Sequence, residues 1–195
     1  MALPQQTYIA STSDGTWKDL VVGVATISSV LANALSSDAF IGLRLRKADG
    51  STSRLIPGNL LPLNTPHRPA LGGLSLGAGD KLQVLSDAPV DWIATGAPGL
   101  AYASSVLATS GGAWATLVTG PATVRAVLAS HAGPADGALG MRLLKSSGQS
   151  AAIIVREAMG EAAGKRLVAP IVLGAGDKLQ VMSDERIEWI ATGVE

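Results

Sequence analysis

A block of 23 residues, Leu74 to Gly96, is written a second time from Ile171 to Gly193, 97 positions further along the chain. Within it GAGDKLQV recurs letter for letter at Gly77 to Val84 and Gly174 to Val181, and WIATG recurs at Trp92 to Gly96 and Trp189 to Gly193. Trp17 aligns with Trp114, Leu20 with Leu117 and Gly23 with Gly120 at the same offset. IGLRLRKADG (Ile41 to Gly50) aligns with LGMRLLKSSG (Leu139 to Gly148) at an offset of 98. The chain is therefore a tandem duplication of whole domains, with one residue inserted near Pro134 to Gly137 and one removed before Ile171. Such changes settle in surface loops. Whatever the fold is, it must close twice within 195 residues, in units just large enough to bury a core each. Ala97-Pro98-Gly99 reads as a short punctuated linker and sets the expected domains at 1–97 and 98–195.

The clearest strand is Ile41 to Arg46, where Ile41, Leu43 and Leu45 alternate with Gly42, Arg44 and Arg46, and Leu139, Met141 and Leu143 repeat the apolar set. Period-two alternation running into Ala48-Asp49-Gly50 predicts one buried face, one wet face and a hairpin. Lys81 to Val84 alternates similarly. Val90 to Thr95 places Val90, Trp92 and Ala94 on one side and Asp91, Ile93 and Thr95 on the other, so each domain is expected to close on a strand hairpin. Ala25 to Asn33 reads as a strand, although Ile27, Val30, Leu31 and Leu35 also satisfy a helical spacing. Seven or eight short strands per domain, separated by Gly, Pro and Asp turns, predict an all-β chain. The expected architecture is two tandem β-sandwiches of immunoglobulin-like or jelly-roll type.

Lys plus Arg and Asp plus Glu balance at 15 each, which gives no electrostatic footprint for a phosphate backbone or an anionic membrane. Nucleic acid and membranes are not expected partners. No apolar run approaches the length of a spanning helix, and MALPQQTY does not read as a signal peptide. The sequence has no cysteine, which removes disulfides, thiolate nucleophiles and Cys-ligated metals and fits synthesis in a reducing cytosol. Charged residues are only 15% of the chain, so much of the surface is uncharged and suited to burial against other chains.

No constellation points to catalysis, a metal or a cofactor. His67 and His131 are the only histidines, each lacks a histidine counterpart in the other copy, and neither sits in HxH, HExxH or nucleophile-elbow spacing. Gly77-Ala78-Gly79-Asp80 and Gly174-Ala175-Gly176-Asp177 lack the remaining residues of a phosphate loop. They read as tight turns in which glycine supplies positive φ and Asp80 or Asp177 bonds the local backbone. Asp80, Asp87 and Asp91 recur as Asp177, Asp184 and Glu188, but without the close spacing of a calcium loop. They read as a solvated rim. Trp17, Trp92, Trp114 and Trp189 stand in apolar-alternating contexts and are assigned to the core, against the alternative of an aromatic platform for glycans. Ile93 and Ile190 fall on the face opposite the tryptophans. Each is either covered by a loop or part of a contact with another chain.

Taken in order, Leu117 to Val124 (LVTGPATV), an amphipathic strand of small residues, a Leu-x-Leu/Arg strand, a G-D-x-L-x-V turn and strand, and a closing Gly193-Val194-Glu195 form a pattern. It resembles the small β-sandwich proteins of tailed bacteriophage virions, the tail, fibre or minor structural type, which usually contain one copy where this chain has two. The resemblance implies a non-enzymatic virion component made in the bacterial host cytoplasm, attached at tail, neck or capsid surface, and partnered by itself as a homo-oligomer and by other virion proteins. A carbohydrate- or receptor-binding module of such a particle is the alternative. The copies diverge most in Thr52 to Gly73 and Ser150 to Pro170, where they are expected to make different contacts.

Overall fold

The structure is a computed structural model that describes residues 5–69, 71, 73–98, 103–160, 163–167 and 170–194. Every helix or strand among them is a β-strand. The chain forms two compact units, Met1–Ala103 and Ser104–Glu195. Ala97 and Pro98 still pair in a strand, opposite Thr26 and Ala25, while Gly99 lies outside the described residues.

Unit 1 contains β1 (Gln6–Thr12), β2 (Lys18–Val22), β3 (Ala25–Ala34), β4 (Ala39–Arg46), β5 (Thr52–Leu61), β6 (Leu74–Leu76), β7 (Lys81–Ser86) and β8 (Val90–Pro98). They form two four-stranded sheets, ordered β1-β8-β3-β6 and β2-β7-β4-β5. β1 pairs with β8, β2 with β7, β3 with β6 and β4 with β5, all antiparallel. The unit is thus one long hairpin, tipped at the Lys47 to Ser51 turn and rolled up so that its two legs share both sheets. That is a jelly roll and not an immunoglobulin order. β3 is a strand throughout, with a bulge between Ile27 and Ser29, so the helical spacing of its apolar residues does not express itself.

The expected closing hairpin is not formed. β7 lies between β2 and β4 in one sheet, and β8 between β1 and β3 in the other. Alternation explains why both strands read alike, since each turns one side inward: Leu82 and Val84 from β7, and Val90, Trp92 and Ala94 from β8, are all buried. A polar chain joins the two sheets where β7 hands over to β8. The Trp92 indole N–H donates to Thr12 Oγ1 at 2.8 Å, Thr12 Oγ1 meets Ser86 Oγ, and Ser86 Oγ donates to the Ala88 carbonyl at 2.7 Å.

Unit 2 repeats the plan with β9 (Ala103–Thr109), β10 (Ala115–Thr119), β11 (Ala122–Val124), β12 (Ala126–His131), β13 (Gly137–Leu144), β14 (Ser150–Met159), β15 (Gly164–Leu167), β16 (Ile171–Leu173), β17 (Lys178–Ser183) and β18 (Ile187–Val194). Its sheets run β15-β12-β18-β9 and β10-β17-β13-β14, with β11 paired to β16. The counterpart of β3 is split at Arg125, the residue that aligns with the bulge at Ser28. The single bridge between Ala32 and His67 in unit 1 becomes the four-residue strand β15 in unit 2. The unit 2 core gathers Leu139, Met141, Leu179, Val181, Ile187 and Trp189.

Candidate functional site: the exposed sheet faces

Asp80 and Asp177 are buried, and their oxygens serve the turn itself. Asp80 accepts Gly77 N–H at 2.8 Å and Ala48 N–H at 3.1 Å, and pairs with Lys47 Nζ at 2.5 Å. Asp177 repeats this with Gly174 N–H, Ser146 N–H and Lys145 Nζ at 2.8, 2.9 and 2.5 Å. Lys145 and the two amides hold the Asp177 carboxyl down to about 2. Gly79 and Gly176 take φ of 79° and 77°, as the turn requires, whereas Gly77 and Gly174 contribute their N–H groups. The other acids of the expected rim are dispersed. Asp87 accepts Phe40 N–H at 2.8 Å, Asp91 accepts Ser11 Oγ–H at 2.6 Å, and Glu188 is buried and pairs with Arg186. Among the described residues no three His, Asp or Glu side chains gather as metal ligands would.

The tryptophans divide into two kinds. Trp92 and Trp189 are fully buried, and each indole N–H is bonded to a threonine. Trp17 and Trp114, assigned to the core with them, lie half-buried on the outer side of the β4 and β13 sheets. The benzo edge of Trp17 rests on Gly42, where a Cβ would sit 2.9 Å from Cη2, and Trp114 rests on Gly140. The Arg44 guanidinium lies 4.1 Å from the Trp17 ring centroid, and Arg142 lies 4.3 Å from that of Trp114. Arg44 Nε donates to Gln83 Oε1 at 2.8 Å and Gln83 Nε2 to Asp19 Oδ1 at 2.7 Å, while Lys81 Nζ meets Asp19 Oδ2 at 2.6 Å. Burial raises the Asp19 carboxyl, but the bonds from Lys81 and Gln83 outweigh it and leave it below its ordinary value. Unit 2 keeps the Arg142 to Gln180 bond at 2.9 Å and has Thr116 in the place of Asp19. This ladder is cationic and locked to its own partners. One face of each indole is already covered by an arginine, which takes it from any sugar ring.

Ile93 and Ile190 also part company. Ile93 is 39% exposed, as the alternation of β8 predicts, and its cross-strand neighbours Ile9 and Leu31 extend an apolar row over β1, β8 and β3. Ile190 is 1% exposed. Its neighbours Leu128, Ser130, Glu188 and Thr192 are buried with it, unlike the exposed row around Ile93. His67 exchanges backbone bonds with Ala32, and burial lowers its imidazole. His131 is buried, and neither of its ring nitrogens has a hydrogen-bond partner.

A set of exposed apolar side chains lies outside every site expected from the sequence. Phe40 and Leu60 face each other across β4 and β5 at 56% and 55% exposure, with Leu35 and Leu63 exposed nearby. Val155 on β14 is 81% exposed, beside Ile153. The signal was present: Phe40 lies out of phase with Ile41, Leu43 and Leu45.

No protein-family model and no curated protein matches the chain. Among solved structures it is similar to the STIV major capsid protein (Sulfolobus Turreted Icosahedral Virus), at 8% identity over 99% of this chain and 95% of that one, with a TM-score of 0.43. The tandem CBM22-1-CBM22-2 domains of Paenibacillus barcinonensis Xyn10C give 11%, 98%, 91% and 0.28 in the same order, and the PBSX exported protein XepA gives 11%, 97%, 86% and 0.32.

Proposed function

We propose that the chain is a non-enzymatic assembly protein of a virus particle, of the tailed-phage type, which attaches at tail, neck or capsid surface through apolar sheet surfaces. The observation that carries this reading is the exposure of Ile9, Phe40, Leu60, Val155 and Val172 on sandwiches whose cores are otherwise closed. Phe40 with Leu60, and Ile9 with Ile93, pair across strands into exposed apolar clusters, and such clusters mark places where another chain is bound. Asp80, Asp177, Trp92 and Trp189 are engaged in turns and packing. The pattern at Leu117 to Val124 and the duplication supply the virion part of the reading. One chain with two similar units occupies two similar positions in a symmetric array.

The test is to purify virions from the source that encodes the chain by density gradient and quantify it by mass spectrometry. Stoichiometric presence in the particle band is expected. A chain that stays in the soluble fraction would end the virion reading. The ring area of Trp17 and Trp114 that Arg44 and Arg142 leave uncovered supports a second reading, glycan binding, which requires Trp17→Ala to abolish saturable binding on a glycan array.

A further inference from the structure

The two units differ most in what they expose. In unit 1, Phe40 and Leu60 are cross-strand partners, Leu63 N–H donates to Asp38 Oδ1 at 2.8 Å, and Phe40 exchanges bonds with Asp87. Leu35 N–H donates to the Pro89 carbonyl, just beyond Asp87. Leu35, Phe40, Leu60 and Leu63 therefore share one corner of the unit, with the exposed carboxylates of Asp38 and Asp87 at its rim. The residues at the places of Leu35, Phe40 and Leu60 in unit 2 are Ala132, Ala138 and Ala158. The alanine copy closes the same sandwich, so the bulk of the corner is not there for folding.

Unit 2 carries its own exposed pair, Ile153 and Val155 on the edge strand β14, beside Arg156, whose side chain is 71% exposed. Leu43 faces Ile56 in unit 1 as Met141 faces Ile154 in unit 2, which puts Pro57 of β5 at the place of Val155. Proline removes a backbone donor from an edge strand and blunts it, a protection that β14 lacks.

We propose that these are the two halves of one contact: the Leu35, Phe40, Leu60 and Leu63 corner of one copy docks on the Ile153, Val155 and Arg156 surface of a second copy. Charge selects this head-to-tail arrangement over a symmetric one. A corner-to-corner contact about a dyad would set Asp38 and Asp87 against their own copies, and like charges across an interface are costly. The β14 surface offers Arg156 instead, whose bond to Asp184 is a long, exposed one at 3.3 Å and weak enough to exchange, while its own acid, Glu157, is paired with Lys165. A heterologous contact uses each patch once per chain and so repeats from copy to copy. The inference rests on the assembly reading above and names its partner.

Light scattering over a concentration series tests it with two variants. Phe40→Ala/Leu60→Ala installs the residues that unit 2 already carries, and Val155→Asp places a charge at a position that is 81% exposed. Both are expected to melt within about 3 °C of the parent, since exposed positions tolerate substitution. The parent is expected to grow beyond one chain with concentration and each variant to remain at one. Their equimolar mixture is expected to form a two-chain species, because one variant keeps the β14 surface and the other keeps the corner. A mixture that stays at one chain, or a Val155→Asp variant that still associates, overturns the contact. A monomeric parent that is nonetheless found in virions overturns it and leaves the particle reading standing, whereas an assembling parent absent from virions does the reverse.

Discussion

Replacing Thr12 by valine tests the bond that ties the two sheets of unit 1 together. Thr12 belongs to β1 and Ser86 to β7, strands of different sheets, and Thr12 is the acceptor for the indole N–H of the fully buried Trp92. Valine fills nearly the same volume, so no cavity is made. What is lost is the acceptor, and the indole N–H is left without a partner at a site that water does not reach. A buried donor stranded in this way costs about 1–3 kcal/mol. Ser86 keeps its bond to the Ala88 carbonyl, so the serine adds little and about 2 kcal/mol is expected. For a unit of this size that lowers the melting temperature by about 10 °C. Thr109→Val is expected to cost the same in unit 2, where Trp189 Nε1 donates to Thr109 Oγ1 at 2.8 Å and Thr109 Oγ1 meets Ser183 Oγ at 2.5 Å. Calorimetry on each single variant, on Trp92→Phe and on the Trp92→Phe/Thr12→Val pair closes a cycle. Phenylalanine has no N–H to strand, so the pair should lose about 1 kcal/mol less than the sum of the singles. Strictly additive losses, or a Thr12→Val variant that melts within 2 °C of the parent, would refute the argument that this bond ties the sheets.

Three further outcomes follow from the geometry. Gly42→Ala would place a Cβ 2.9 Å from Trp17 Cη2, so the ring must leave its seat under Arg44, and a loss of about 1–2 kcal/mol with a red-shifted indole emission is expected; Gly140→Ala, with 3.2 Å to Trp114, should lose less. Gly96→Ala meets the Thr26 carbonyl at 2.6 Å and Ile27 Cα at 3.1 Å, both backbone, and should lower unit 1 stability by about 2–3 kcal/mol in urea titration. The Asp177 carboxyl is lowered from 3.8 to about 2 in the folded chain, so its contribution is fully present above pH 4 and disappears as pH falls toward 2; across that window the melting temperature should fall more with pH in the parent than in Asp177→Asn.

Much of the fold is legible in the sequence, and the portion that is not has a physical cause. Alternation in Ile41 to Arg46 and in Val90 to Thr95 reports which side chains face inward, and β4 and β8 obey it. It carries no information about which strand lies alongside, and that is why β7 and β8 read as a hairpin although they belong to opposite sheets. The hint was in the polar residues: Thr12 and Ser86 interrupt inward-facing positions because they meet each other across the sandwich. Trp17 precedes its strand and so has no alternation phase to place it. The usable signal was its counterpart surface, Gly42 amid bulky neighbours, where a ring needs room to lie flat. Ile190 shows a third kind of gap. Its direction was readable from β18, but a local pattern reports direction and not exposure, and Ile190 is 1% exposed where Ile93 is 39%.

Duplication gives each residue an internal counterpart, and both the agreements and the disagreements between the copies carry information. Asp80 and Asp177, Trp92 and Trp189, and Arg44 with Gln83 against Arg142 with Gln180 keep identity and geometry together. Those pairs are what a jelly roll of this size needs in order to close, because turn, staple and sheet ladder are the same physical problem solved twice. A position at which the copies disagree while the backbone agrees is freed from that requirement. Phe40 against Ala138, Leu60 against Ala158 and Pro57 against Val155 are of this kind, and each difference changes what water touches rather than what the core contains. Exposing a phenylalanine and two leucines costs solubility and gains the fold nothing, since the alanine copy folds without them. The sandwich core is therefore shared property of both units, and the work that sets one unit apart from the other is done at the Phe40 corner and along β14.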